Sequence, residues 1–260
     1  MLLYEHPLSS YVQKVKISLR EKNIAFTVER PEGLGSGAGG GTFLDGNMRA
    51  EVPMLIDGAV RIVDSTIILE YLEDKVPTPA LLPRDPAERA RARMIEDVGD
   101  TSYEAINWGI GEITWFRRAE GALAERLRAA AAAQTAEIQH WLEQQLGARE
   151  WFVGDRFGWA DLSVAPYLNR SVLFGLGPAA GAPLDLWLGR VRQRPSVAKT
   201  FEEFMAAQVL MGDAFRRLES GAMRREYRDH RLEWMIKSGG MEVVLDGLAK
   251  NNIRFTWPTV

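Results

Sequence analysis

No cysteine occurs anywhere in the 260 residues. Disulfides and thiolate metal ligands are therefore excluded, and any thiol chemistry must work on a thiol that a ligand brings in. Histidine is almost as scarce. His6, His140 and His230 are scattered, with no partner at metal-ligand spacing, so no metal is expected. Charge of one sign is missing too. A formal net charge of -3 without a long single-sign tract lacks the basic surface that nucleic-acid binding by charge requires. No uncharged apolar run reaches the roughly 18 residues of a membrane span. The stretch from Met1 to Glu5 has neither the basic nor the long apolar part of a signal peptide. The expectation is a soluble, cytoplasmic protein with no membrane and no nucleic-acid partner.

What is present is enough chain for two domains. Residues 1–77 alternate in period: Leu2 to Tyr4 as a strand, Ser10 to Lys22 as an amphipathic helix with Val12, Val15 and Leu19 on one face, and Ala25 to Glu29 as a strand. "PMLIDGAVRIV" reads as a hairpin turning on Asp57-Gly58, where both positions want positive φ. "DSTIILEYLED" reads as a helix with Ile67, Ile68, Tyr71 and Leu72 on one stripe. The order is βαβ, loop, ββα. The proline-rich "KVPTPALLPRDPAE" cannot continue a helix and places a linker over 78–86. Residues 87–208 then read as helices throughout, one of them helped by an alanine run. Residues 209–260 form an ordered, mostly helical extension, with Met241, Val244, Leu245 and Leu248 at helical spacing. The fold class is α/β followed by all-α.

Several motifs admit a bland and a functional reading. Gly35, Gly37 and Gly40 satisfy G-x-G-x-x-G, but "TFLDGN" follows where a helix should open, so a surface loop is the better reading. In "FRRLESGAMRREYRDHR" the interleaved acids point to a solvated helix face, although the arginines could attract an anion. In "AEVPML" the proline starts a strand. It is either an ordinary trans edge proline or a cis bond that turns the Val52 amide and carbonyl out toward a peptide-like ligand. "DST" at 64–66 is either a plain N-cap or a helix N-terminus offered to a carboxylate, with Asp64 available for an ammonium group.

Three segments, "HPLSSYVQKVKISLREKNI", "FLDGNMRAEVPML" and "DSTIILEYLED", occur in the order and at the spacing of the soluble glutathione transferases, and "FVGDRFGWADLSVAPYL" resembles that family's buried helical-domain segment. The resemblance covers roughly residues 1–208. Gly158 stands where a serine or threonine cap is usual, and Asp161 is retained. The resemblance implies a thioredoxin-like domain over 1–77, joined to a helical bundle, with glutathione as cosubstrate and no metal. By the same resemblance this is a serine-type member. Ser9 donates to the glutathione sulfur, with Ser10 and Tyr11 in reserve, and favours thiolate over thiol.

Further site residues follow from the resemblance. Val52, before a Pro53 now expected cis, pairs with the cysteinyl unit, while Asp64 and Ser65 hold the γ-glutamyl end. Glu51 occupies a commonly basic position, with Arg49 as the compensating cation, and Met48 stands where proline is usual. The partner is a small hydrophobic electrophile, in a pocket between the domains lined by Tyr103, Trp108, Trp115 and Phe116. A homodimer is expected. The extension is expected to pack on the helical domain and narrow that cleft. Alternatives are a glutathione-dependent lyase or isomerase of aromatic catabolism, and a non-catalytic binding protein.

Overall fold

Leu2–Tyr4 (β1), Ser10–Glu21 (α1) and Thr27–Glu29 (β2) form a βαβ unit, with β1 and β2 parallel and Leu2 opposite Thr27. In the computed structural model, which describes residues 1–34, 43–47, 49–226 and 229–254, Met54–Asp57 (β3) and Val60–Val63 (β4) add antiparallel beyond β1. The sheet order is β2-β1-β3-β4. Ser65–Lys75 (α2) and α1 pack on it through Val12, Val15, Leu19, Ile68 and Leu72. This is the thioredoxin-like arrangement. The glycines at 35, 37 and 40, and Met48, lie outside the described residues.

Two details differ from the sequence-based expectation. Asp57 pairs with Val60, so the hairpin loop is Gly58–Ala59, and within it only Gly58 takes a positive φ, 61°. One left-handed residue in the first loop position suits a type II′ turn. Asp57 instead stays in β3, where it accepts from Tyr71 Oη at 2.6 Å and from Lys75. On α2 the buried arc is Ile68, Leu69 and Leu72, while Ile67 is 58% exposed. Ile67 sits just outside the arc that meets the sheet.

The helical half begins with Pro86–Val98 (α3), which runs through a π-helical turn at Gly99–Tyr103 into Glu104–Thr114 (α4). Gly121–Leu146 (α5), Trp159–Leu173 (α6), Pro183–Val191 (α7) and Pro195–Ala206 (α8) complete it. Phe152, Trp159, Tyr167 and Trp187 fill its core. Gly158, at the N-cap of α6, has a structural reason. A Cβ there would lie 2.7 Å from the Leu81 carbonyl oxygen, which already accepts from Trp159 N at 2.8 Å. Asp161 takes over the capping and accepts from Gly158 N at 3.0 Å.

The two halves share α1, which is enclosed on nearly every side. Lys14, on the face away from the sheet, bonds Glu96 at 2.6 Å and Asp100 at 2.5 Å. Lys16 joins Glu5 and Glu203, each at 2.6 Å. One ammonium facing two carboxylates explains the titration at Lys14. Burial alone would lower its pKa, yet Asp100 and Glu96 hold it above the usual lysine value. Burial, reinforced by Glu96, pushes Asp100 up.

Beyond α8 the chain folds back through Ala214–Glu219 (α9), Arg225–Glu226 (β5), Asp229–Lys237 (α10), Met241–Ala249 (α11) and Ile253–Arg254 (β6), with β5 and β6 paired in parallel. Trp234, Met235, Val243 and Val244 are buried against Ile106, Ile110 and Leu127 of α4 and α5. Close approach depends on Gly109, where a Cβ would fall 2.5 Å from the Trp234 ring. Gly109→Ala should therefore loosen the tail, costing about 1–3 kcal/mol by overpacking. Faster limited proteolysis between residues 220 and 254 would show it, and an unchanged digest would refute it. Among the described residues, no helix is long and apolar enough to cross a membrane.

Candidate functional site

A cavity of about 250 Å³ opens where the sheet half, the helical half and the tail meet. The sheet half contributes His6, Leu8, Ser9, Tyr11 and the segment Ala50–Val52. The helical half contributes Glu104, Trp108, Trp115, Phe116 and Arg170, and the tail Met223, Arg224, Arg225 and Arg231.

Ser9 is the N-cap of α1. Its Oγ accepts from Val12 N at 3.3 Å, which leaves the hydroxyl proton for another acceptor. The first turn of α1 carries no acidic side chain, so the positive end of the helix dipole is not offset there. The two neighbouring hydroxyls are placed differently. Ser10 is fully buried, its Oγ has no hydrogen-bond partner among the described residues, and it does not line the cavity. Tyr11 lines the cavity, but its hydroxyl donates to the Asp100 carbonyl at 2.6 Å.

The Val52–Pro53 peptide is cis. No hydrogen bond to the Val52 amide or carbonyl occurs among the described residues. Asp64, at a φ of 75°, caps α2 by accepting from Thr66 N at 2.9 Å and Ile67 N at 3.2 Å. Both readings of "DST" thus remain compatible with the geometry, because the cap uses one carboxylate oxygen of Asp64. Ser65 is buried, Arg49 is exposed, and neither lines the cavity.

Tyr103 corrects the expected acceptor pocket. It is 0% exposed, and its hydroxyl accepts from Gln139 at 2.9 Å inside the helical core, away from the cleft. The π-helical turn places it on the inner side of the helix. The other three aromatics expected there do line the cavity.

Two lining residues, His6 and Arg170, were not among the site residues expected from the sequence. His6 is held neutral, its pKa lowered to about 4 by burial and by Arg30, Arg170 and Arg217. Arg170 donates to Glu104 at 3.0 Å and to the Leu8 carbonyl, tying α6 to the loop before Ser9. The usable signal was that Arg170 is the one charged residue in "LSVAPYLNRSVLF", where a lone cation in an apolar helix demands a buried partner. The solvated face expected for the arginine-rich stretch also needs correction. That stretch breaks after α9, and Arg224, Arg225 and Arg231 turn to the cavity.

Residues 3–80 match the family described as glutathione S-transferase, N-terminal domain, and residues 115–190 match its C-terminal domain. "Glutathione S-transferase 2" of Saccharomyces cerevisiae is 29% identical over 226 residues, covering 78% of this chain and 90% of the relative. A maleylacetoacetate isomerase of Pseudomonas aeruginosa is 30% identical over 219 residues, covering 80% of this chain and 95% of the relative. The structure of rice GST1 in complex with glutathione superimposes with a TM-score of 0.65 at 27% identity, covering 81% of this chain and 95% of that one. With both halves of the fold, the cis-proline and the full-length relatives in agreement, this chain belongs to the glutathione S-transferase family.

Proposed function

We propose that the protein binds glutathione in this cleft, stabilises its sulfur as thiolate, and delivers it to a small electrophile with an apolar body. One observation carries the reading. Ser9 caps α1 with its oxygen and keeps its proton, and it does so in the cavity that also holds three aromatic side chains and the Val52 backbone, which has no hydrogen-bond partner among the described residues. Ser9 Oγ–H donates to the sulfur, Val52 pairs with the cysteinyl amide and carbonyl, and Asp64 with Ser65 receives the γ-glutamyl end. In a displacement, a carbon–sulfur bond forms and the bond to the leaving group breaks. The thiol proton passes to solvent when the thiolate forms. Trp108, Trp115 and Phe116 take the apolar body of the acceptor. A role for Arg49 toward the glycyl carboxylate requires its side chain to swing in from the exposed position it occupies.

The test is a pH titration of bound glutathione followed by thiolate absorbance, comparing wild type with Ser9→Ala. A hydrogen bond to a charged group is worth about 1.5–3 kcal/mol, and one pKa unit is about 1.4 kcal/mol. The bound thiol should titrate well below its free value in the wild type and rise by about one to two units in the variant. Identical titrations in the two proteins would remove Ser9 from the chemistry.

A further inference from the structure

The tail supplies three of the four arginines around the cavity, and their arrangement goes beyond closing it. The Arg225 guanidinium sits 3.9 Å from the centre of the Phe116 ring and 5.0 Å from that of Trp108. Its Nε donates to Glu112 at 2.6 Å. Glu112 is almost fully buried and also meets Arg118 at 3.1 Å, so the plane of the Arg225 fork is fixed from behind. Neither Nη group of Arg225 finds a protein acceptor among the described residues. The neighbouring Arg224 lines the same wall, is exposed, and has no protein acceptor among the described residues either. Glu104, the carboxylate on the helical side of the cavity, is already matched by Arg170 at 3.0 Å.

A guanidinium held over an aromatic wall, its outer N–H groups without a protein acceptor among the described residues, suits a planar, two-oxygen anion. A wholly apolar acceptor would cover those N–H groups without replacing the water it displaces. We infer that the acceptor carries a carboxylate, bound by the Nη groups of Arg225 with Arg224 beside it, while its flat body lies against Trp108, Trp115 and Phe116. The inference rests on the proposed function, since it names the class of molecule the thiolate meets. Glutathione has carboxylates of its own. However, Arg225 is stacked on side chains of the helical half, whereas Ser9 and Val52 lie on the sheet half.

The full-length protein, saturated with glutathione, is titrated with 4-methyl-3-nitrobenzoate and with its methyl ester, which offer the thiolate no leaving group, following quenching of tryptophan fluorescence. The acid should bind at least about tenfold tighter than the ester. Arg224→Gln and Arg225→Gln should each weaken the acid about 10- to 100-fold, as expected for one lost charged hydrogen bond, and move the ester less than about threefold. Arg225→Lys, which keeps the charge and the hold on Glu112, should fall between. Equal affinities for acid and ester in the wild type would overturn the inference. So would parallel loss of both ligands in Arg225→Gln with Arg224→Gln unaffected, which marks Arg225 as a pin for the tail. Weakened glutathione binding with the acid-to-ester ratio intact would assign the arginines to glutathione and equally refute it. Because binding is read without turnover, an unshifted glutathione thiol alongside a strong acid preference would sink the catalytic reading alone.

Discussion

Replacing Lys14 by methionine should destabilise the protein by about 3–5 kcal/mol, the range for breaking a buried ion pair from one side. The ammonium is fully buried between Glu96 and Asp100 and also reaches Thr66 Oγ1 at 3.3 Å, so it joins α1, α2, α3 and the π-helical turn. Without it, two carboxylates face each other with only neutral donors, Tyr167 Oη at 2.6 Å from Asp100, Thr66 at 2.9 Å from Glu96, and Trp159 Nε1. They can relieve the repulsion only by taking up a proton, so their folded-state pKa values rise above the unfolded ones. The native variant then binds more protons than its unfolded chain, and its stability falls as pH rises. Urea unfolding should accordingly show a larger deficit at pH 8 than at pH 5. A loss below about 1 kcal/mol, equal at both pH values, would show the cluster to be dispensable. The triple variant with Glu96→Gln and Asp100→Asn should recover part of the loss, because no buried charge remains uncompensated.

Asp161 should be the second most sensitive position. Its Oδ1 accepts from Phe152 N at 3.1 Å and Trp187 Nε1 at 2.8 Å, and its Oδ2 from Gly158 N at 3.0 Å. Alanine orphans all three buried donors, each worth about 1–3 kcal/mol, so Asp161→Ala should lose about 3–5 kcal/mol. Burial raises the Asp161 pKa to about 7, against the opposing pull of those donors. A carboxyl whose pKa is higher in the fold than in the unfolded chain takes up a proton on folding. Its contribution to stability therefore declines as pH rises from about 4 to about 7 and stays low above that. Asparagine has no such titration but turns an amide donor toward one of the N–H groups. Asp161→Asn should be less stable at every pH, and its stability curve should lack that decline. Parallel wild-type and Asp161→Asn curves across this window would contradict the assigned titration.

The sheet half was legible because its signals are local. Strand alternation, the glycine of the hairpin and the Asp64 cap each act within a few residues, so β1 to β4, α1 and α2 could be placed before any contact was known. Local signals also mislead by one position, as the Gly58–Ala59 loop and the exposed Ile67 show. The enclosure of the polar face of α1 was not legible, because the carboxylate partners of Lys14 lie more than 80 residues away in the chain, a separation that no window along the sequence spans. The place of Ser9 at the start of α1 and the cis bond between Val52 and Pro53 were legible through order and spacing. Tyr103 was misplaced because a regular helix register does not anticipate the π-helical turn. The arginines of the tail read as a solvated face for a related reason. Their acids suggested mutual screening along one helix, whereas the chain breaks there and pairs Arg225 with Glu112 of α4.

The way α1 is held sets a limit on modularity. Both counter-ions of Lys14, and one of the two for Lys16, lie beyond residue 80, where the N-terminal family match ends. Cutting the chain there would strand the Lys14 ammonium and leave Lys16 with Glu5 alone, on a helix that still has to cover the sheet. The recurring sequence unit is thus smaller than the folding unit. A sheet half transplanted onto another helical partner would have to carry Glu96, Asp100 and Glu203 with it, or give up its lysines first.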